Sequence, residues 1–117
     1  MKESTAELNR KINALAADRT TGASGIVAKA LDILTAARAS ETELREVAQA
    51  LCLAQPTMAP VWNAAAAALS DDPDRLTQFV ERARRAPDAI ARYAATHFTE
   101  DASERPLHVV SLSCSGA

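Results

Sequence analysis

Aromatic rings are scarce in this sequence of 117 residues: Trp62, Phe79, Tyr93 and Phe98 are the whole set. A chain of this length can bury one modest core, and that core must rest on Leu, Ile and Val. Cysteine is as sparse. Cys52 and Cys114 stand far apart, in neither a metal-ligand spacing nor a disulfide framework. No stretch approaches the run of about 18 apolar residues that a membrane-spanning helix needs. The opening "MKESTAELNRK" is polar and has no signal-peptide hydrophobic region. Neither sign of charge dominates: the formal net charge is −2 and the pI about 5.6. Nothing in that balance creates a global field for nucleic acid or a membrane surface. These absences together point to a reduced, cytoplasmic protein with no metal and no cofactor.

What the sequence has in abundance is alanine, at 27 of 117 positions. Alanine is the strongest helix former, and its small side chain lets helices approach closely. Apolar residues recur at helical spacing through most of the chain. Ser4 and Glu7 have capping-box spacing, and Leu8, Ile12, Leu15 and Ala16 follow on one face, so a first helix is expected over 5–18. "RTTGASG" interrupts it. Thr20 or Thr21 is the expected cap of a second helix, with Gly22 permitting a close backbone approach. Ile26, Ala30, Ile33, Leu34 and Ala37 give that helix its face, ending near Ala39. Ser40 and Glu43 repeat the capping box before Leu44, Val47, Ala48 and Leu51. Pro56 then disfavours helix at Gln55.

Thr57 is the expected cap of a fourth helix, with Pro60 in its first turn. Met58, Val61, Trp62, Ala65 and Leu69 form its expected buried side. "SDDPDRL" is the clearest helix start in the chain, with Asp72 as N-cap, Pro73 at the first helical position and Asp74 at the positive helix end. Leu76, Phe79, Val80 and Ala83 lead to Pro87, where a kink or short break is expected. Ile90, Tyr93, Ala94, His97 and Phe98 resume the same period, which places them, His97 included, on the expected buried side of the helix. One long bent helix, or two nearly coaxial ones, should run from about Pro73 to Thr99.

The last residues differ in kind. "LHVVSLSC" is short, apolar and β-branched, which reads as a buried strand. A lone strand leaves its backbone groups without partners. The expected fold class is therefore all-α: a five-helix bundle over 1–104, then a connector and a single β-strand over 105–117. That strand would open a Rossmann-like domain absent from this chain. An apolar strand followed by Ser and Gly is typical of α/β sheets, where ligands meet the strand's carboxyl end.

The order is a helix, "GAS" opening a second helix, a Pro-Thr element opening a fourth, a long helix, then a strand ending in Cys-Ser. This pattern resembles the N-terminal helical domain of the α, β and δ regulatory subunits of eukaryotic translation initiation factor 2B. That family also includes methylthioribose-1-phosphate and ribose-1,5-bisphosphate isomerases. The resemblance covers nearly all of this chain but about a third of a typical family member. It implies a helical domain ahead of a Rossmann-like domain, and work in protein–protein assembly. The expected partner is the chain's own C-terminal domain or another subunit, with a homo-oligomer as a further form.

In the isomerases an Arg-Gly-Ala and an Arg-Pro-Thr element help hold the substrate phosphate. The matching positions here are Thr21-Gly22-Ala23 and Gln55-Pro56-Thr57. Arg clamps a phosphate by charge and by a bidentate fork, and neither Thr21 nor Gln55 supplies either. Cys114 falls on the position of the isomerases' cysteine, so a longer parent could place a catalytic thiol there and bind a phosphorylated sugar or nucleotide. The isomerases' second acid–base residue, an Asp, has no counterpart in this chain. Moving a proton between neighbouring carbons needs two positioned groups, so this chain alone should not catalyse it. The regulatory-subunit reading stands first and a sugar-phosphate isomerase relative is the alternative. Arg82, Arg84, Arg85 and Arg92 cluster in "ERARRAPDAIAR" without interleaved aromatics. They read as a solvated helix face or a protein interface rather than a nucleic-acid site.

Overall fold

The computed structural model describes residues 5–39, 44–101 and 110. Five helices follow one another: α1 (Thr5–Ala17), α2 (Ala23–Arg38), α3 (Leu44–Ala54), α4 (Ala59–Leu69) and α5 (Asp74–Asp101). No strand occurs among the described residues, so the all-α class stands. The expected strand over 107–114 lies, Val110 apart, outside the described residues, as do Ser4, Ser40 and Glu43 of the two capping boxes.

The core follows the apolar stripes. Leu8, Ile12 and Leu15 of α1 face Ile26, Ala30, Ile33, Leu34 and Ala37 of α2, Val47, Ala48 and Leu51 of α3, and Val61, Ala64, Ala65 and Ala68 of α4; all are buried. Helices α2 and α3 each touch α1 and α4, and each other. Leu8, Leu15, Ile26, Leu34, Leu51 and Val61 supply the bulk at the centre. Each such side chain contributes about 1.5–3 kcal/mol of transfer free energy. Ala30, Ala37 and Ala64 are fully enclosed, and side chains this small allow close helix approach. No polar side chain is buried among the described residues.

Helix starts depart in detail from their expected caps. The N-cap of α2 is Gly22, with φ −69° and no side-chain cap bond, because the Thr21 hydroxyl is bonded to Asp18 instead. Gly22 therefore has an ordinary backbone. The close approach is at Gly25, where an added Cβ would lie 2.4 Å from Cγ2 of Thr21. The N-cap of α4 is Met58 rather than Thr57, with Pro60 in the first turn as expected. Asp72 does cap α5: its Oδ1 accepts the backbone N–H of Asp74 at 2.9 Å.

Helix α5 has 28 residues, about 42 Å at 1.5 Å per residue, and it runs unbroken through Pro87. Only its first half joins the core. Leu76 is 2% exposed, and Phe79, Val80 and Ala83 pack at the margin against the bundle. Arg38 at the end of α2 donates to the Pro73 carbonyl and ties the start of α5 down. Beyond Ala83 the helix leaves the bundle, and the molecule is elongated, 59 × 31 × 24 Å.

That departure corrects part of the expected core. Ile90, Tyr93 and Phe98 are exposed, and so is His97, because no other described helix reaches the distal half of α5. Trp62 and Leu69 of α4 are also about half exposed. Trp62 lies one position past the buried Val61 and points along the helix flank, where its indole N–H donates to the Pro56 carbonyl at 3.1 Å.

Candidate functional site

Two regions bear on function: the helix-end cluster around Asp18 and the surfaces of α5. In the first, Asp18 ends α1 and organises the turn into α2. Its Oδ1 accepts the backbone N–H groups of Thr20 at 3.0 Å and Thr21 at 2.9 Å. Its Oδ2 accepts the Thr21 hydroxyl at 2.6 Å and the Lys29 ammonium at 2.9 Å. This is a side-chain-closed turn, with the carboxylate standing in for a backbone acceptor. The Thr21 hydroxyl, then the Thr21 amide, Lys29 and the Thr20 amide, hold the Asp18 carboxyl far below its ordinary range.

Gln55 reaches the same place from α3. Its side-chain N–H donates to the Leu15 carbonyl at 2.8 Å, across 40 positions of sequence. The two segments singled out in the sequence, Thr21-Gly22-Ala23 and Gln55-Pro56-Thr57, are thus both anchored to the turn that closes α1. Two of their polar side chains are engaged at this turn: Thr21 serves Asp18, and Gln55 caps Leu15. Ala23, Pro56 and Thr57 face solvent. An anion approaching the N-terminus of α2 would meet the Asp18 carboxylate, with Lys29 already engaged. Electrostatically the cluster is a fastening between helices. Asp18, which organises the cluster, has a sequence signal of its own: Asp followed two and three positions later by Thr marks a turn.

Cys114 lies outside the described residues. Cys52 is a buried free thiol in α3, and burial pushes its pKa up. A thiol so placed is the opposite of an activated nucleophile.

The second region is α5. Spacing of three and four residues aligns Leu76, Phe79, Val80, Ala83, Pro87, Ile90, Ala94, His97 and Phe98 along one stripe. Its proximal part is core. Its distal part is open, with Ile90 68% and Phe98 50% exposed, and Tyr93 at its edge is 65% exposed. Tyr93 and His97 stack with ring centroids 3.9 Å apart, and the His97 Nδ1–H donates to the Tyr93 carbonyl at 2.9 Å. The two rings lie within 20° of parallel, starting one turn of helix beyond Ile90.

Beside this stripe a trough runs between α4 and α5. Its upper part, about 390 Å³, is lined by Asn63, Ala66 and Ala67 of α4 and by Arg75, Gln78, Phe79 and Arg82 of α5. It continues along α5 into a second hollow of about 330 Å³ lined by Gln78, Glu81, Arg82, Arg85, Ala86 and Ala89. Of the arginines clustered in the sequence, Arg82 and Arg85 share this trough. Arg84 and Arg92 do not line it, and Arg75, seven positions before Arg82, joins instead.

Comparison of the chain with protein-family models, curated proteins and solved structures found no match in any of the three.

Proposed function

We propose that this chain is a helical assembly module of the translation initiation factor 2B regulatory-subunit type, docking through the distal half of α5. The carrying observation is the apolar stripe of that helix. The same periodic face that seals the bundle at Leu76 continues past it, and leaves Ile90, Tyr93 and Phe98 open to solvent. Large apolar side chains grouped on an open face are suited to contact with a partner, and burying each of these would contribute about 1.5–3 kcal/mol. The occupant assigned to the stripe is a folded domain, as the likeness to regulatory subunits implies: the Rossmann-like domain of the same protein or that of a neighbouring subunit. The sugar-phosphate isomerase alternative draws no support from the described residues, since the Thr21 hydroxyl is engaged by Asp18 and the Gln55 amide by the Leu15 carbonyl.

The test is quantitative capture from source cells with the unaltered chain and with an Ile90→Asp, Tyr93→Asp variant. Retention of a stoichiometric partner by the first and its loss from the second, at equal helix content by circular dichroism, supports the reading. The same retained proteins in both preparations would overturn it.

A further inference from the structure

We infer that the trough between α4 and α5 is a docking groove for an acidic amphipathic helix. The first argument is charge. Between Arg75 and Arg92 the chain carries five arginines against two carboxylates, Glu81 and Asp88, a surplus of positive charge in a chain whose net charge is −2. Arg75, Gln78, Arg82 and Arg85 fall three, four and three positions apart and line the trough. Arg75 and Arg82 make no ion pair among the described residues, while Arg85 meets Glu81 at 3.6 Å. Guanidinium groups on an open wall are suited to carboxylates, which they hold by paired hydrogen bonds.

The second argument is shape. The α4 wall is Asn63, Ala66 and Ala67, and the continuation along α5 sets Ala86 and Ala89 among Glu81 and the polar row. Small side chains there let another helix backbone lie close, as in helix-in-groove recognition. Trp62 and Leu69 share a face of α4 with Ala66 by helical spacing, and both are about half exposed. An incoming helix would thus set an apolar side against Trp62, Ala66 and Phe79, and acidic residues three to four positions apart against the arginines. From Arg75 to Arg85 the row rises about 15 Å, close to three turns of the partner. A polyanionic nucleic acid fits less well: Phe79 is the single aromatic in the trough, whereas single-strand binding uses interleaved stacking rings.

The groove is lined by residues between Asn63 and Ala89 and by none of Ile90, Tyr93 and Phe98, so its test can fail without touching the assembly reading. The probe is a synthetic peptide of about 20 residues, long enough to be helical alone, with Leu and Ala on one face and Glu at helical spacing beside them. Amide shifts of the ¹⁵N-labelled full chain are followed during titration with this peptide, its Gln-for-Glu twin and a single-stranded oligonucleotide. The expected result is perturbation centred on Asn63, Ala66, Gln78 and Arg82 by the acidic peptide, weakened about 5- to 10-fold in an Arg75→Gln, Arg82→Gln variant and by added salt. Equal binding of the neutral twin, shifts that map elsewhere, or response to the oligonucleotide alone would each overturn the inference.

Discussion

Leu76 and Ile90 lie on the same stripe of α5, fourteen positions apart, yet they should answer truncation to alanine very differently. Leu76 is 2% exposed and belongs to the core; Ile90 is 68% exposed. Leu76→Ala removes buried carbon atoms worth about 0.8 kcal/mol per methylene and leaves a cavity. The whole cost is about 3 kcal/mol, inside the range for buried Leu→Ala changes. In a domain of this size that lowers Tm by about 10–20 °C. At Ile90 only about a third of a full side-chain transfer term of 1.5–3 kcal/mol is realised, roughly 0.5–1 kcal/mol. The better helix propensity of alanine returns up to about 0.5 kcal/mol. The net effect of Ile90→Ala is therefore under about 1 kcal/mol. Urea denaturation followed at 222 nm, at two protein concentrations, measures both. Should Ile90→Ala cost as much as Leu76→Ala, the distal stripe is covered in solution, and the reasoning that treats it as a free contact surface is refuted.

Two further outcomes follow from single residues. Asp18 has its folded pKa depressed by Thr21, Lys29 and Thr20. Its contribution to stability is therefore complete above the unfolded carboxylate value near pH 3.9 and is lost as pH falls below that toward the folded value. Asp18→Asn should remove this part of the acid dependence, seen as a flatter stability curve below about pH 4 in denaturant titrations; an unchanged curve would show that the cluster is not fastened by charge. Pro87→Ala should restore the backbone N–H inside α5 and relieve the ring clash, stabilising the helix by up to about 3 kcal/mol. Slower amide hydrogen exchange over 84–91 checks it.

The existence and order of all five helices could be read from periodicity, because a stripe every three to four residues must be buried against something. The start of α5 was legible for a local reason: Asp72, Pro73 and Asp74 act within one turn. The cap of α2 was not, because Thr21 had a second option in Asp18, and a bond of 2.6 Å to a carboxylate outcompetes the role of cap. The distal half of α5 was misread as core for a deeper reason. Periodicity tells which side of a helix is apolar, but not whether a neighbour is there to cover it. Gln55 shows the same limit from the other direction. Its place in the sequence marks the end of α3, while its partner, Leu15, lies 40 positions away. The arginine row was partly visible, but Arg75 joined it only through the packing of α5 on α4.

The enclosed alanines leave this bundle little room for change. At Ala30, Ala37 and Ala64, none of them exposed, a larger side chain would push helices apart at about 1–3 kcal/mol. The only smaller residue is glycine, which loosens a helix interior by about 1 kcal/mol. Variation is thereby squeezed outward, onto the arginine wall and the open end of α5, where substitutions alter what the molecule meets and hardly disturb how it folds.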